Sequence, residues 1–224
     1  MPSRWSRILM GLCGIFGVAA LAYYYSVPVP LPPANASSDQ VVAFGTRYHD
    51  AILLDTWFQA VGSLLTVTFA VALVHLAGAT NRFAGWMTLL ASGLTLAVAL
   101  SEGMFAIAAT QAAVLGHAET ALTSFDLTNV FVHIFLMVPA PAFFLSLGAV
   151  LLGSQVLPRL FGYLALVLGG AFAVLGLVGL FSAGAIALSI VLLISQELWI
   201  VAAAITLIIR AIKAEKLTVE SQTN

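Results

Sequence analysis

The sequence predicts an all-α, polytopic membrane bundle of six transmembrane helices with both termini cytoplasmic. The first observation behind this is composition: of 224 residues, 62% are hydrophobic and only 8% are charged. A soluble domain carries about 25% charged residues, so this chain cannot cover a water-facing surface with polar groups. The second is that six apolar stretches reach the roughly 20 residues an α-helix needs to cross the hydrocarbon core. The third is the placement of the basic residues. Arg4, Arg7, Arg82, Arg159, Arg210, Lys213 and Lys216 fall at the termini or in the even-numbered loops, and only Arg47 falls on the opposite face. That is the positive-inside distribution.

Taken in order, the spans are expected at about Ile8–Tyr25, Ala51–Ala77, Phe83–Ala109, Thr128–Leu152, Leu160–Phe181 and Ala185–Ile209. The first also fits a cleavable signal sequence, with Arg4 and Arg7 ahead of an apolar core and Ala20-Leu21-Ala22 behind it. Tyr23, Tyr24 and Tyr25 favour retention, because three tyrosines at a helix end read as an interfacial anchor. Residues 26–50 form an outer loop that opens on Pro28, Pro30, Pro32 and Pro33, a stiff extended segment. Ser37-Ser38-Asp39-Gln40 then looks like a helix start, leading into an interfacial segment over Val41–Tyr48. Gly116–Leu127 is expected to be a second outer loop, and residues 211–224 a short cytoplasmic tail. The loops leave no room for a separate soluble domain, so residues 1–224 read as one transmembrane domain.

Polar residues inside the spans fall on narrow faces. At 100° per residue, Asp55, Gln59, Ser63 and Thr66 lie within an arc of about 80°, as do Thr88, Ser92, Thr95 and Glu102. Asn129 and His133 stack four residues apart, and Ser189 and Gln196 share a face near Glu197. Spans one and five carry glycines instead. Spans two, three, four and six are therefore expected to line a polar interior, with one and five packed outside through small residues. Ser and Thr in membranes commonly bond backbone carbonyls, and that reading suits Ser63, Thr66, Ser92, Thr95 and Ser189. It suits Glu102 and Glu197 less well, because an ionisable group at membrane depth costs roughly 2.5–3.5 kcal/mol on insertion scales.

Depth groups the candidates. Glu102 lies about 24 Å along its helix from Trp86, in the outer part of the membrane, where His133, Asp55 and Gln59 are also expected. Asp55, Gln59, Glu102, Asn129 and His133 thus form a candidate ligand- or proton-binding cluster open to the outer face, with Glu197 deeper. Asp55, Glu102 and His133 are also the three candidate metal ligands, the number a hydrolytic zinc centre needs. His75 falls roughly 20 Å below His133 and cannot share a metal with it. No HExxH, GxSxG, phosphate loop or CxxC is present, and the single Cys13 permits no internal disulfide. No cofactor is indicated. The net charge of −1 argues against a nucleic-acid partner.

Two stretches carry a family likeness. Phe143-Phe144-Leu145-Ser146-Leu147-Gly148 followed by Val156-Leu157-Pro158-Arg159-Leu160-Phe161-Gly162-Tyr163-Leu164 resembles the "LPR-x-LG-x-L" turn of DUF4386-type bacterial membrane proteins. Gln196-Glu197-Leu198-Trp199-Ile200 is similar to that family's "gE-l-x-LW-L" element. Phe161 departs from it, standing where Leu or Ile is usual. The resemblance covers the C-terminal half. It implies a bacterial inner (plasma) membrane location and makes Glu197 part of a family element, but it brings no chemistry. The leading expectation is a non-catalytic protein for binding, sensing or transport of a small molecule, lipid portion or proton. The alternatives are an intramembrane metal-dependent hydrolase of a lipid-derived substrate, and a structural subunit of a homo-oligomer or membrane complex.

Overall fold

Hydrophobicity forces every backbone amide in these spans to pair within its own segment, and helices are how a lone span achieves this. The computed structural model is accordingly all-helical, with no strand among the described residues, which are 4–26, 36–182 and 188–223. The side chains of 25, 26, 129, 132 and 214–223 lie outside the description. So does the proline-rich segment 27–35.

The elements are α1 (Arg4–Ser26), α2 (Ser38–Arg47), α3 (His49–Leu76), α4 (Phe83–Val114), α5 (Ala118–Met137), α6 (Pro139–Leu152), α7 (Arg159–Gly179) and α8 (Ser189–Thr223). Six segments among the described residues are long and apolar enough to cross a membrane, counting α5 and α6 as one of 35 residues. Leu9, Phe16, Leu64, Leu90, Val167 and Val174 are exposed on the outside of the bundle, where lipid rather than water is their solvent. Trp5, Trp86 and Tyr163, also exposed, gather at the arginine-rich end as an aromatic belt.

Several boundaries differ from the sequence expectation. Gly116–Leu127 is not a loop. It turns at Gly116, whose φ of 75° suits a residue without Cβ, and is helical from Ala118. The α4 helix runs to Val114, and its 32 residues span about 48 Å, well beyond the hydrocarbon core. The protruding turns of α4 and α5 hold α2 through a small core of Val41, Ala112, Ala113 and Ala121, with Phe44 edge-on to Phe125 at 5.4 Å. The helix start at Ser37 is as expected: Ser37 Oγ accepts from the Gln40 amide, and Gln40 Oε1 accepts from the Ser37 amide. Yet α2 docks on two helices rather than lying alone at an interface. At the other end, α8 continues through residues 211–223, so the expected tail is helical.

The fourth span is broken. Val138 leaves helical geometry at φ −128°, ψ −61°, immediately before Pro139 and Pro141. Proline has no N–H, so the carbonyls of Phe135 and Met137 cannot receive their i+4 bonds. The α6 half is the centre of the bundle, with Phe143, Phe144, Leu147, Val150 and Leu151 buried.

With α6 as a member, the helices close a ring: α1 packs on α3 and α8, α3 on α4, α4 on α6, α6 on α7, and α7 on α8. Glycines permit the close approaches of the first and fifth spans. A Cβ on Gly17 would stand 2.9 Å from the Thr66 amide nitrogen of α3, and one on Gly176 would stand 2.5 Å from the Leu136 carbonyl oxygen of α5. Small-residue packing of these two spans is thus as the sequence led us to expect.

Candidate functional site

The two polar stripes face each other between α3 and α4. Gln59 Nε2 donates to Glu102 Oε2 at 2.8 Å, and Tyr24 on α1 donates to Glu102 Oε1 at 3.5 Å. One carboxylate thus joins three helices. Asp55, one turn from Gln59 on the same face, is buried, and its Oδ1 meets no hydrogen-bond partner among the described residues. Gly103, the neighbour of Glu102, lets this happen. A Cβ there would come within 2.7 Å of Thr56 and prevent α4 from approaching α3.

About 10 Å further along both helices, seven residues from Gln59 and Glu102, Thr66 and Thr95 line an interior cavity. Its other walls are Val67, Phe135, Ala140, Phe143, Phe144, Gln196 and Ile200, and its volume is about 30 Å³. Spans two, three, four and six all contribute, which is the set the stripes point to. The break at Val138 lies at this level, between Phe135 and Ala140. Non-helical backbone at membrane depth is tolerated where it borders a cavity.

On the α8 wall, Gln196 Nε2 donates to Glu197 Oε1 at 3.2 Å, while Glu197 Oε2 is buried without a partner among the described residues. Thr95 Oγ1 and Ser92 Oγ are in the same condition. Thr66 is not: its hydroxyl bonds the Gly62 and Ser63 carbonyls at 3.0 Å, the structural role common for membrane hydroxyls. Toward the arginine-rich end, Thr88 donates to Ser146 Oγ at 3.0 Å and ties α4 to α6.

Other candidates stand apart. His133 is half-buried on α5, but Phe131 and Phe135, two residues to either side, face Phe105 on α4 at 5.5 Å and Phe172 on α7 at 6.1 Å. That places His133 roughly 160° around α5 from the seam those rings occupy. Among the described residues no group of three His, Cys, Asp or Glu side chains could hold a metal ion. The Asp55, Glu102 and His133 trio is therefore not gathered into one centre. Asn129's side chain lies outside the described residues. His49, within the segment expected to be loop, links two helix ends instead. Its Nδ1 donates to Asp50 at 2.8 Å, and its Nε2 accepts from Gln111 at 3.2 Å.

Tyr24 joins this site, although its place among three successive tyrosines predicts an interfacial anchor. A signal was present. Gly17, Leu21 and Tyr24 follow one another at helical spacing, and Gly17 and Leu21 both pack on Gly62 of α3. The rotation of α1 that seats the glycine also turns Tyr24 inward.

The two donors differ in weight. Replacing Gln59 with Leu is expected to lower stability by about 1.5–3 kcal/mol, the range for a hydrogen bond to a charged group. Tyr24→Phe, which removes a bond of limiting length, is expected to cost under roughly 1 kcal/mol. Thermal unfolding of both variants in one detergent checks the order, and a reversed order would show that Tyr24 is the main partner.

No protein-family model, curated protein or solved structure matches this chain. Its class rests on the fold: a multi-pass helical membrane protein.

Proposed function

We propose that the interior seam binds and passes protons, in a sensing or transport role, with Glu102 as the outer proton site and Glu197 as the deeper one. The observation carrying this reading is an interior cavity of about 30 Å³ lined by Thr95, on the helix of Glu102, and by Gln196, which donates to Glu197. That is space for about one water molecule, whereas drug-sized organic ligands occupy clefts of about 300–1,000 Å³. Of the occupants the sequence admits, a proton with its water fits this volume, and a lipid portion or organic molecule does not.

Chemistry supports the same reading. Glu102 is fixed by Gln59 and Tyr24 rather than left mobile, so its carboxyl group keeps one position. Below it, the Thr95 hydroxyl and the Phe135 carbonyl offer sites through which a water can bridge toward Glu197. Ionisable residues inside membranes characteristically mark such relays. In this proposal the arginine-rich end is cytoplasmic, the membrane is a bacterial inner membrane, and the DUF4386-type likeness around Glu197 reflects kinship.

The test is an acid-minus-alkaline infrared difference spectrum of the reconstituted protein. A carboxylic-acid C=O band is expected, losing part of its intensity in Glu102→Gln and another part in Glu197→Gln. A spectrum unchanged in both variants would sink the proposal.

A further inference from the structure

A second and larger cavity, about 450 Å³, opens at the arginine-rich end, where α1, α3, α8 and the α6–α7 turn meet. Its walls carry Arg7 from α1, Arg210 from α8, and Ser154 and Gln155 from the turn. Leu76, Ala77, Val156 and Leu207 supply the apolar part, and among the described residues no Asp or Glu lines it. Two guanidinium groups from opposite ends of the chain thus share one recess, with no acidic counter-charge among the described residues.

Arg210 is oriented by the protein. Its Nη1 donates to the carbonyls of Gln155 and Val156, both at 2.8 Å. Those bonds hold the guanidinium against the turn and use one nitrogen of a group with five N–H donors. Arg7 is less satisfied: its Nε is buried and meets no acceptor among the described residues. A buried guanidinium donor without an acceptor is costly, and an anion that offers two oxygens to the guanidinium fork, as phosphate does, is its natural complement.

We propose that this cavity binds a phosphate-bearing anion, seated between Arg7 and Arg210 with Ser154 beside it. The phosphate oxygens take the remaining guanidinium donors, and the apolar wall accepts whatever the phosphate carries. Two sources share this chemistry: the headgroup of an anionic phospholipid, and free phosphate from the aqueous phase. Basic pockets between transmembrane helices are known recognition sites for anionic headgroups. The site is independent of the Glu102–Glu197 seam and does not rest on its function.

The experiment uses the full-length protein reconstituted with equal amounts of phosphatidylglycerol and phosphatidylcholine, then extracted and examined by native mass spectrometry. Arg7→Gln is the informative variant, because Arg7 Nε has no hydrogen-bond partner to lose among the described residues. Arg210→Gln also releases two backbone carbonyls and is read only if it folds. Arg47→Gln, at the opposite end, is the charge control.

Wild type and Arg47→Gln are expected to retain phosphatidylglycerol about ten-fold over phosphatidylcholine, and Arg7→Gln to retain the two nearly equally. A parallel arm compares melting with inorganic phosphate against chloride at equal ionic strength. Phosphate stabilisation of wild type but not Arg7→Gln, without a lipid preference, assigns the site to the soluble anion. A lipid preference that persists in Arg7→Gln overturns the proposal, as does the absence of both effects.

Discussion

Proteoliposomes containing the Glu102→Gln variant are expected to dissipate an imposed proton gradient at least roughly ten-fold more slowly than those containing the wild type. The substitution keeps the shape of the side chain and an oxygen for Gln59 Nε2 to donate to, so the junction of α1, α3 and α4 should persist. What it removes is a group able to give up and regain a proton. Glu197→Gln should slow the same flux by a similar factor, since the proposed path runs through both. The double variant should be little slower than either single one, because two breaks in one series do not multiply. Flux is read with an entrapped pH-sensitive dye under a potassium diffusion potential. Wild-type rates equal to those of protein-free vesicles would confine the protein to proton binding, while rates equal in all variants would remove the carboxyl groups from the path.

Phe144→Ala is the second substitution with a large expected effect, lowering stability by roughly 2–4 kcal/mol. Phe144 is fully buried and central to the aromatic packing of the interior. Its ring stacks on Phe172 at 5.8 Å and meets Phe143 and Trp199 edge-on at 5.0 and 5.7 Å. Trp199 in turn donates to the Phe161 carbonyl at 3.1 Å, so the ring helps to set the distance between α6, α7 and α8. Truncation of phenylalanine in soluble cores costs about 3–5 kcal/mol. The expected range here starts lower because the unfolded helices rest in lipid, where burial adds no water-exclusion term. Thermal or denaturant unfolding in mild detergent measures it. A loss below about 0.5 kcal/mol would mean that neighbouring side chains collapse into the space. Since Phe144 also lines the interior cavity, the same variant should admit further water beside Gln196.

Much of this architecture is legible in the chain. A run of twenty apolar residues has few other fates, so the existence of six spans follows from hydropathy alone. The Gln59–Glu102 bond follows almost as directly, because the two stripes are narrow and belong to successive antiparallel helices. What escapes is anything set by helix rotation or by backbone gaps. Tyr24 turns inward because Gly17 seats α1 on Gly62, a contact between residues far apart in sequence. Pro139 and Pro141 break the fourth span inside an apolar run, and a hydropathy average passes over missing N–H groups. His133 illustrates a different limit: it shares a predicted depth with Glu102, but depth says nothing of which way a side chain points. Residues 118–127 are polar enough to read as loop, yet their buried face meets α2 and the protruding end of α4, partners that membrane-length arguments leave out.

The ring of helices carries a consequence for biogenesis. The first helix closes against the last, through Gly11 and Gly14 meeting Ala204 and Ile208. During synthesis, therefore, α1 enters the bilayer long before its second neighbour exists. Its glycine face must wait, half-covered by α3, while three more segments are inserted before α8. Contacts of such sequence separation form late and slowly. Until α8 arrives, the side of α1 that carries Gly11 and Gly14 lacks its partner, so ring closure is the step that completes the packing of the first helix.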